Sequence, residues 1–317
     1  MLTTKRNKNQ IQKLPKIVHK QIEQIRLDNT SGSAELAKKA AEILIFLVDK
    51  VSVTSPSKLI NLIYDTADEL IKAQPMMASI FNLANTTLLE NIGLENKQEI
   101  IHNVHNTCQQ FIQHLELSGK IMSELTFKII RDDSTIITHS YSSTVYNTLI
   151  FAKETGKTFN IICTESRPIN EGVQLAKQLG KRGIKVKLIV DTAAYSLLPE
   201  ADLILVGADA VSSSGLVNKI GTHGLAIAAK QYNKTLYALC NTNKILPKEY
   251  PINLNYQKNP KEILSQPLKN VTPINYYFDI TPLEYITGII TEKGILSPLE
   301  IQEHINKLPM QSVLLTK

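Results

Sequence analysis

The chain has 317 residues, of which 43% are hydrophobic and 20% charged, a composition typical of a globular protein with one large or two medium domains. No apolar run approaches the roughly 18 residues that a membrane-spanning helix needs, so we expect no membrane span and no membrane partner. The formal net charge is +6, and its excess comes from the N-terminus. Before the first acidic residue, Glu23, stand Lys5, Arg6, Lys8, Lys13, Lys16 and Lys20.

This basic N-terminal arm has two interpretations, a solvated terminus or a contact with nucleic acid or an acidic protein. The arm has neither the Ser- and Arg-rich composition of a transit peptide nor the apolar core of a secretory signal. The cysteines, Cys108, Cys163 and Cys240, are far apart and form no C-x-x-C pair, which favours a reducing compartment. We therefore expect a cytoplasmic protein in which Cys163 and Cys240 are small core residues.

From about residue 17 to residue 117 the apolar positions have helical spacing, as at Leu36, Ala37, Ala40, Ile43 and Leu44. This spacing predicts a helical domain of about five helices within residues 1–120. The helix boundaries are expected near residues 29–32, 54–57 and 73–75, where Gly, Pro and Ser cluster.

From Ser134 the pattern changes to short apolar runs with helical segments between them. Five such runs predict an α/β fold in residues 121–317, a Rossmann-like, doubly wound parallel sheet. Ligands of such sheets bind in the loops that follow the strands. Here those loops begin at His139, Thr164, Asp191, Gly207 and Asn241.

After the five runs we expect a Pro-rich surface excursion between Asn241 and Pro273, then a strand at residues 276–280. Thr281-Pro282 is a helix start signal, which predicts a helix from Leu283 to Ile290 that ends at Gly294. A further helix is expected after Ser297-Pro298. The apolar segment at residues 278–290 fits a dimer core and an intramolecular core equally well.

Three of the post-strand loops carry unusual polar groups, which a doubly wound sheet brings to one crevice. Asp209 follows one strand directly, and Lys219 lies before a helix that Thr222 is expected to cap. The residues expected to bind a ligand are His139, Ser142, Ser143, Glu165, Arg167, Asn218 and Lys219. Guanidinium, amine and hydroxyl groups suit a phosphorylated sugar or nucleotide, and we expect neither a metal ion nor a cofactor.

Each of these residues also has an ordinary structural interpretation. Ser142 or Ser143 alone is expected to cap a helix, and His139 alone is expected at the edge of the core. Arg167 alone is expected to pair with Glu165 or Glu171. Their presence at equivalent strand ends favours the ligand site.

The same motifs resemble one superfamily, over about residues 30–298. They are residues 164–168 with Gly172, residues 207–209, residues 218–222, and residues 278–282 with 289–294. The resemblance is to the alpha, beta and delta regulatory subunits of eukaryotic translation initiation factor 2B. The superfamily also contains the isomerases of 5-methylthioribose 1-phosphate and ribose 1,5-bisphosphate.

The superfamily has two branches, the regulatory subunits and the isomerases, and individual residues distinguish between them. The isomerases resemble one another in a catalytic Cys and a catalytic Asp; Asp209 matches the Asp, while Ser140 stands where the Cys is expected. A serine hydroxyl is a far poorer acid than a thiol, whose reference pKa is about 8.5. The isomerases also share two phosphate-binding arginines, which the matching stretches at residues 31–33 and 74–76 lack. The loop at residues 138–143 resembles that of the initiation-factor subunits.

These observations leave three hypotheses. The leading one is a non-catalytic, initiation factor 2B subunit-like protein that keeps a phosphorylated-ligand pocket for regulation or assembly. The alternative is an aldose-ketose isomerase, an intramolecular oxidoreductase, in which Asp209 is the base and Ser140, Tyr141 or His139 supplies the proton. This alternative predicts a raised pKa for Asp209 unless Lys219 pairs with it. The third is a scaffold with a vestigial pocket.

The resemblance also implies partners. We expect a homodimer or an assembly with related subunits, formed through the Rossmann-like domain, and initiation factor 2 is a candidate partner.

Overall fold

The computed structural model describes residues 14–28, 32–252, 254 and 257–315. These residues belong to two compact units. The first contains the chain up to Leu117 together with Leu246–Tyr250 and the segment from Lys307, and the second contains Ser118–Ile245 and Pro251–Asn306. The basic arm before residue 14 and Ser31 lie outside the described residues.

The first unit is helical, as predicted. Its helices are α1 (Lys16–Leu27), α2 (Ser33–Lys50), α3 (Pro56–Ala73), α4 (Ala78–Leu89) and the first part of α5 (Lys97–Ile129), whose residues from Ser118 belong to the second unit. Helix α3 begins where Ser55 accepts a hydrogen bond from the Lys58 backbone N at 3.4 Å, with Pro56 in the first turn. Fully buried side chains such as Leu44, Leu59 and Leu70 form the core of this unit.

The second unit is built on a seven-stranded sheet. Its strands are β1 (Ser134–His139), β2 (Phe159–Thr164), β3 (Lys185–Ile189), β4 (Leu203–Val206), β7 (Thr235–Leu239), β9 (Gly288–Thr291) and β10 (Gly294–Leu296). Across the sheet the order is β10-β9-β7-β4-β1-β2-β3, and every pair except β9–β10 is parallel. The predicted parallel α/β sheet is confirmed.

The strand order from β3 to β9 is that of a Rossmann sheet. The chain adds β2 and β3 on one side of β1, then returns to add β4, β7 and β9 on the other side, so the strand order reverses between β1 and β4. Helices connect the strands: α6 (Ser143–Glu154), α7 (Glu171–Lys181), α8 (Ala193–Leu197) and α9 (Thr222–Gln231). A further helix, α10 (Pro298–Lys307), follows the last strand. The crevice at such a reversal is where open α/β sheets bind ligands. The loops after β1 and β4, which carry predicted site residues, therefore lie on either side of this crevice.

A second, three-stranded antiparallel sheet was not predicted. It contains β5 (Ala210–Ser212), β6 (Gly215–Lys219) and β8 (Phe278–Thr281), in the order β5-β6-β8. Ser213 and Ser214 form the tight turn between β5 and β6, and Gly215, with φ of 135°, begins β6 directly after it. Asn218 and Lys219, which were expected in a loop, lie at the end of strand β6.

The predicted helix from Leu283 to Ile290 is wrong. A single 3₁₀ turn at Leu283–Tyr285 leads into strand β9, which pairs with β7. Ile289 and Ile290 are fully buried in the sheet, so tertiary pairing overrides the helix start signal at Pro282. The apolar side chains of this strand are thus part of the intramolecular core. Glu292 and Lys293 form the turn between β9 and β10, and Gly294 is the first residue of β10. Helix α10 begins at Pro298, as predicted.

Among the helices that the structure describes, none combines the length and the apolar character that crossing a membrane requires.

Gly172 permits the close packing of α7 on the loop after β2. A β-carbon at this position would overlap the carbonyl oxygen of Thr164. We expect Gly172→Ala to lower the free energy of unfolding by roughly 1–3 kcal/mol, since the backbone must move to admit the methyl group. Urea unfolding measures the change.

The matched control is Gly180→Ala in the same helix, where an added β-carbon meets no atom within 4 Å. This variant should be about 0.5–1 kcal/mol more stable than the parent, because alanine is the better helix former. Equal stabilities of the two variants would contradict the role assigned to Gly172.

Candidate functional site

Three chain segments meet at the reversal point of the sheet. A β-carbon added to Gly207, after β4, would lie 2.6 Å from Ser142 Cβ and 3.9 Å from Asn218 Oδ1. The loop after β1, the loop after β4 and the end of β6 are therefore in direct proximity. Glycine at position 207 allows this approach.

Asp209 lies immediately beyond β4 and is half-buried. Its backbone N donates to the Val217 carbonyl oxygen at 2.9 Å, which holds it beside β6. Burial raises the pKa of Asp209, and the charges of Lys244 and Lys219 oppose this effect. Lys244, which sequence reasoning missed, donates from Nζ to the Ala208 carbonyl oxygen at 2.7 Å. A carboxyl group in this setting can carry a proton near neutral pH more readily than an exposed one.

Lys219 is almost completely buried and is paired with Glu171, the first residue of α7. The Nζ atom lies 2.6 Å from Glu171 Oε1 and 4.4 Å from the centre of the Tyr277 ring. The partner of Lys219 is thus Glu171 and not Asp209. Neither Glu171 nor Tyr277 was among the predicted site residues, because no local pattern indicates a partner so distant in the chain.

His139 is buried at the end of β1 with both ring nitrogens engaged. Nε2 lies 2.9 Å from the Ile220 carbonyl oxygen and must donate to it, so Nδ1, 2.7 Å from Thr164 Oγ1, accepts. Burial lowers the pKa of His139, which keeps the ring neutral. The imidazole joins the loops after β1 and β2 to the start of α9.

The serines of the first loop have different surroundings. Ser140 is buried in a left-handed conformation, with φ of 69°, and its backbone N donates to Ser166 Oγ at 2.8 Å. Ser142 caps α6 by accepting a hydrogen bond from the Val145 backbone N at 3.3 Å. Ser143 is the first residue of that helix and is half-buried.

The loop after β2 is held by a carboxylate from the loop after β3. Asp191 accepts hydrogen bonds from the backbone N of Ser166 at 2.7 Å and of Arg167 at 2.8 Å. The Arg167 side chain is exposed, and its Nη2 lies 3.5 Å from the Glu262 carbonyl oxygen. Glu165 is half-buried beside it. The sequence identifies Asp191 only as the start of a post-strand loop and does not indicate that it binds the backbone of the loop after β2.

The expectation that Thr222 caps α9 is wrong. Thr222 Oγ1 donates to the Lys219 carbonyl oxygen at 2.6 Å and accepts from Asn218 Nδ2 at 3.0 Å, so it fixes the end of β6. The cap is Asp279 on β8, which accepts from the backbone N of Gly221 at 2.8 Å and of His223 at 3.1 Å. The positive end of α9 is therefore already occupied by a carboxylate. A lone acidic residue within an apolar strand was the available signal.

The cysteines do not offer a reactive thiol to this site. Cys108, Cys163 and Cys240 are buried, and burial raises the pKa of each to about 12. In the part of the chain that the structure describes, no group of three or more His, Cys, Asp or Glu side chains could hold a metal ion.

The raised pKa of Asp209 predicts a stability change with a definite sign. A group whose folded pKa exceeds its unfolded value stabilises the fold at low pH and loses that contribution as pH rises through the folded pKa. We expect Asp209→Asn to be more stable than the parent at pH 7, because the amide has no charge to desolvate. The difference should shrink as pH falls towards 4, as measured by urea unfolding.

Asp132→Asn is the control of opposite sign. Asp132 is exposed and accepts a hydrogen bond from the Thr158 backbone N at 3.0 Å, which lowers the pKa of its carboxyl group. This variant should be less stable than the parent at pH 7 and approach it as pH falls. A destabilised Asp209→Asn at pH 7 would contradict the assignment.

Comparison with known proteins agrees with this architecture. The chain is 35% identical over 288 residues to a protein of Pyrococcus furiosus named translation initiation factor eIF-2B subunit 2-like, covering 90% of this chain and 98% of that one. It is 34% identical over 284 residues to the ribose 1,5-bisphosphate isomerase of Archaeoglobus fulgidus, covering 87% and 88%. The crystal structure of Pyrococcus horikoshii translation initiation factor eIF-2B superposes with a TM-score of 0.77 at 32% identity, over 90% of this chain and 98% of that one. Residues 29–298 match the model of the initiation factor 2 subunit family, and the chain belongs to that family.

Proposed function

We propose that this protein is a non-catalytic, initiation factor 2B subunit-like protein that binds a phosphorylated sugar or a nucleoside monophosphate in the crevice between β1 and β4. The pocket serves regulation or assembly. The observation that carries the proposal is the approach of Asn218 and Ser142 to Gly207, next to Asp209, whose carboxyl group interacts with the charge of Lys219. The loop that contains Ser142 has serine at position 140. The polar groups suit a phosphorylated ligand, and the acidic thiol that the resemblance implies for the isomerases is missing from position 140.

The phosphate partners in this proposal are Lys219 and Arg167, with Asn218 supplying an amide. Arg167 is exposed, and its Nη2 donates to the Glu262 carbonyl oxygen at 3.5 Å, a long contact that a phosphate would replace. Two further arginines of the isomerase pattern have no counterpart. Gln74, at one of these positions, donates to the Ile25 carbonyl oxygen at 2.8 Å and so fastens the end of α1. Fewer guanidinium groups favour one phosphate over two.

A second candidate is an aldose-ketose isomerase, which the state of Asp209 favours. Burial raises the pKa of this carboxyl group, as a general acid or base near neutral pH requires. The pair between Lys219 and Glu171 leaves Asp209 without Lys219 as its direct partner. Ser140 is the group at the position of the missing thiol. Two relatives at comparable identity carry the two different names, one a factor subunit and one an isomerase.

Binding is tested by calorimetry with ribose 5-phosphate and adenosine monophosphate. We expect Lys219→Met to weaken binding by roughly 10- to 150-fold, the loss of one charge-assisted contact worth about 1.5–3 kcal/mol. Lys187→Met is the matched control, because Lys187 is exposed on β3 and pairs with Glu200 at 2.8 Å. The control should bind like the parent.

The same preparations decide between the two candidates. We expect no turnover of methylthioribose 1-phosphate or ribose 1,5-bisphosphate in a coupled assay. Turnover that Asp209→Asn abolishes would establish the isomerase and overturn the proposal. Absence of binding to any sugar or nucleoside monophosphate would instead support a scaffold with a vestigial pocket.

We also propose a homodimer, or an assembly with related subunits, through the second unit, with initiation factor 2 as a candidate partner. Strand β3 forms one edge of the large sheet, and Leu188 and the adjacent Val190 are 46% and 55% exposed. Exposed apolar side chains on an unpaired edge favour association with another chain.

Native mass spectrometry of protein purified from cells tests the assembly. We expect a dimer or a larger complex that dissociates when Leu188 and Val190 are both replaced by Lys. A monomer in the parent protein would contradict this part of the proposal.

A further inference from the structure

The charge of Lys219 is already matched inside the protein. Its Nζ lies 2.6 Å from Glu171 Oε1, and the two side chains are only 4% and 24% exposed. The other carboxylate oxygen, Glu171 Oε2, is buried and has no hydrogen-bond partner among the described residues. A carboxylate of the protein thus occupies the position beside the amine that a ligand anion needs.

The pair is enclosed by further ionisable groups. Tyr277 lies under the Lys219 amine, and its hydroxyl donates to Glu262 Oε2 at 2.7 Å. Asn275 donates to the same oxygen at 2.8 Å, so Glu262 is fixed on the far side of the ring. The titratable and charged groups around the pair are Asp209, His139, Asp191, Tyr277, Glu262, Lys258 and Lys244.

A phosphate that approaches Lys219 meets the negative charge of Glu171. Two anions held close together in a buried site repel each other strongly. The site therefore does not favour a bound phosphate and an ionised Glu171 at the same time. Protonation of Glu171 removes the repulsion while the residue stays in place. Burial raises the pKa of Glu171 and the adjacent Asp209 charge adds to this, although Lys219 opposes it.

We propose that Glu171 competes with the ligand anion for Lys219 and takes up a proton when a phosphate binds, which makes it a specificity-determining residue. This inference rests on the proposed function. The site then prefers ligands of low negative charge, such as monophosphates, to bisphosphates. Ligand binding weakens as pH rises, because Glu171 regains its charge.

The decisive variant is Glu171→Gln, which keeps the size of the side chain and removes its charge. Calorimetry with ribose 5-phosphate at pH 7.5 should show binding about tenfold or more tighter than in the parent. Glu154→Gln is the matched control: Glu154 is exposed at the end of α6 and pairs with Arg182 at 3.3 Å. Removing this distant charge should leave the affinity unchanged.

A second reading at pH 5.5 separates charge from shape. Protonation of Glu171 in the parent should do what the amide does in the variant, so the ratio of the two affinities should decrease. The free ligand is common to both proteins, so the titration of its phosphate cancels in this ratio. A ratio that stays constant between the two pH values would overturn the inference.

The remaining outcomes are also decisive. If Glu171→Gln does not unfold cooperatively, Glu171→Ala takes its place, with the same tighter binding expected. Equal affinities of parent and variant at pH 7.5 would overturn the role of Glu171 and leave the proposed function intact. Failure of all three proteins to bind ribose 5-phosphate or adenosine monophosphate would overturn both.

Discussion

The constraint on which the site depends is the burial of one ammonium group. A lysine amine that leaves water must be matched by an opposite charge or an aromatic face, since an unpaired buried charge is strongly unfavourable. Strand β6 places Lys219 in the interior, and side chains from two distant segments interact with its charge. Glu171 comes from the start of α7, and Tyr277 comes from the residue before β8. The ion pair and the ring contact therefore fix three parts of the chain to one another.

The other carboxylates of the region hold backbone instead. Asp191 accepts two backbone N–H groups from the loop after β2, and Asp279 accepts two from the start of α9. Both side chains shape loops whose N–H groups would otherwise lack partners. Burial raises the pKa of Asp209 and of Asp279, and at Asp209 the charges of Lys244 and Lys219 oppose this effect.

The elements that sequence reveals here are those with a local cause. Five apolar runs predict the parallel strands, and parallel strands place their following loops together, so Asp209 and the serine-rich loop could be placed before the structure was known. The end of β6 could not be placed from the sequence, because the pairing of β6 with β8 joins segments far apart in the chain. Pro282 signals a helix locally, yet the following residues pair with β7. Threonine is a residue type that often caps helices, but the N-terminus of α9 is capped by Asp279, which lies on another strand.

The position of β8 in the chain has a consequence for biosynthesis. Strand β6 is translated well before Phe278–Thr281, the partner with which it forms four register pairs. Until that late segment leaves the ribosome, the lysine-bearing strand has an open hydrogen-bonding edge, and the cap of α9 is missing. The Rossmann strands β1 to β4 can form earlier, so the nascent chain acquires its scaffold first and its pocket last.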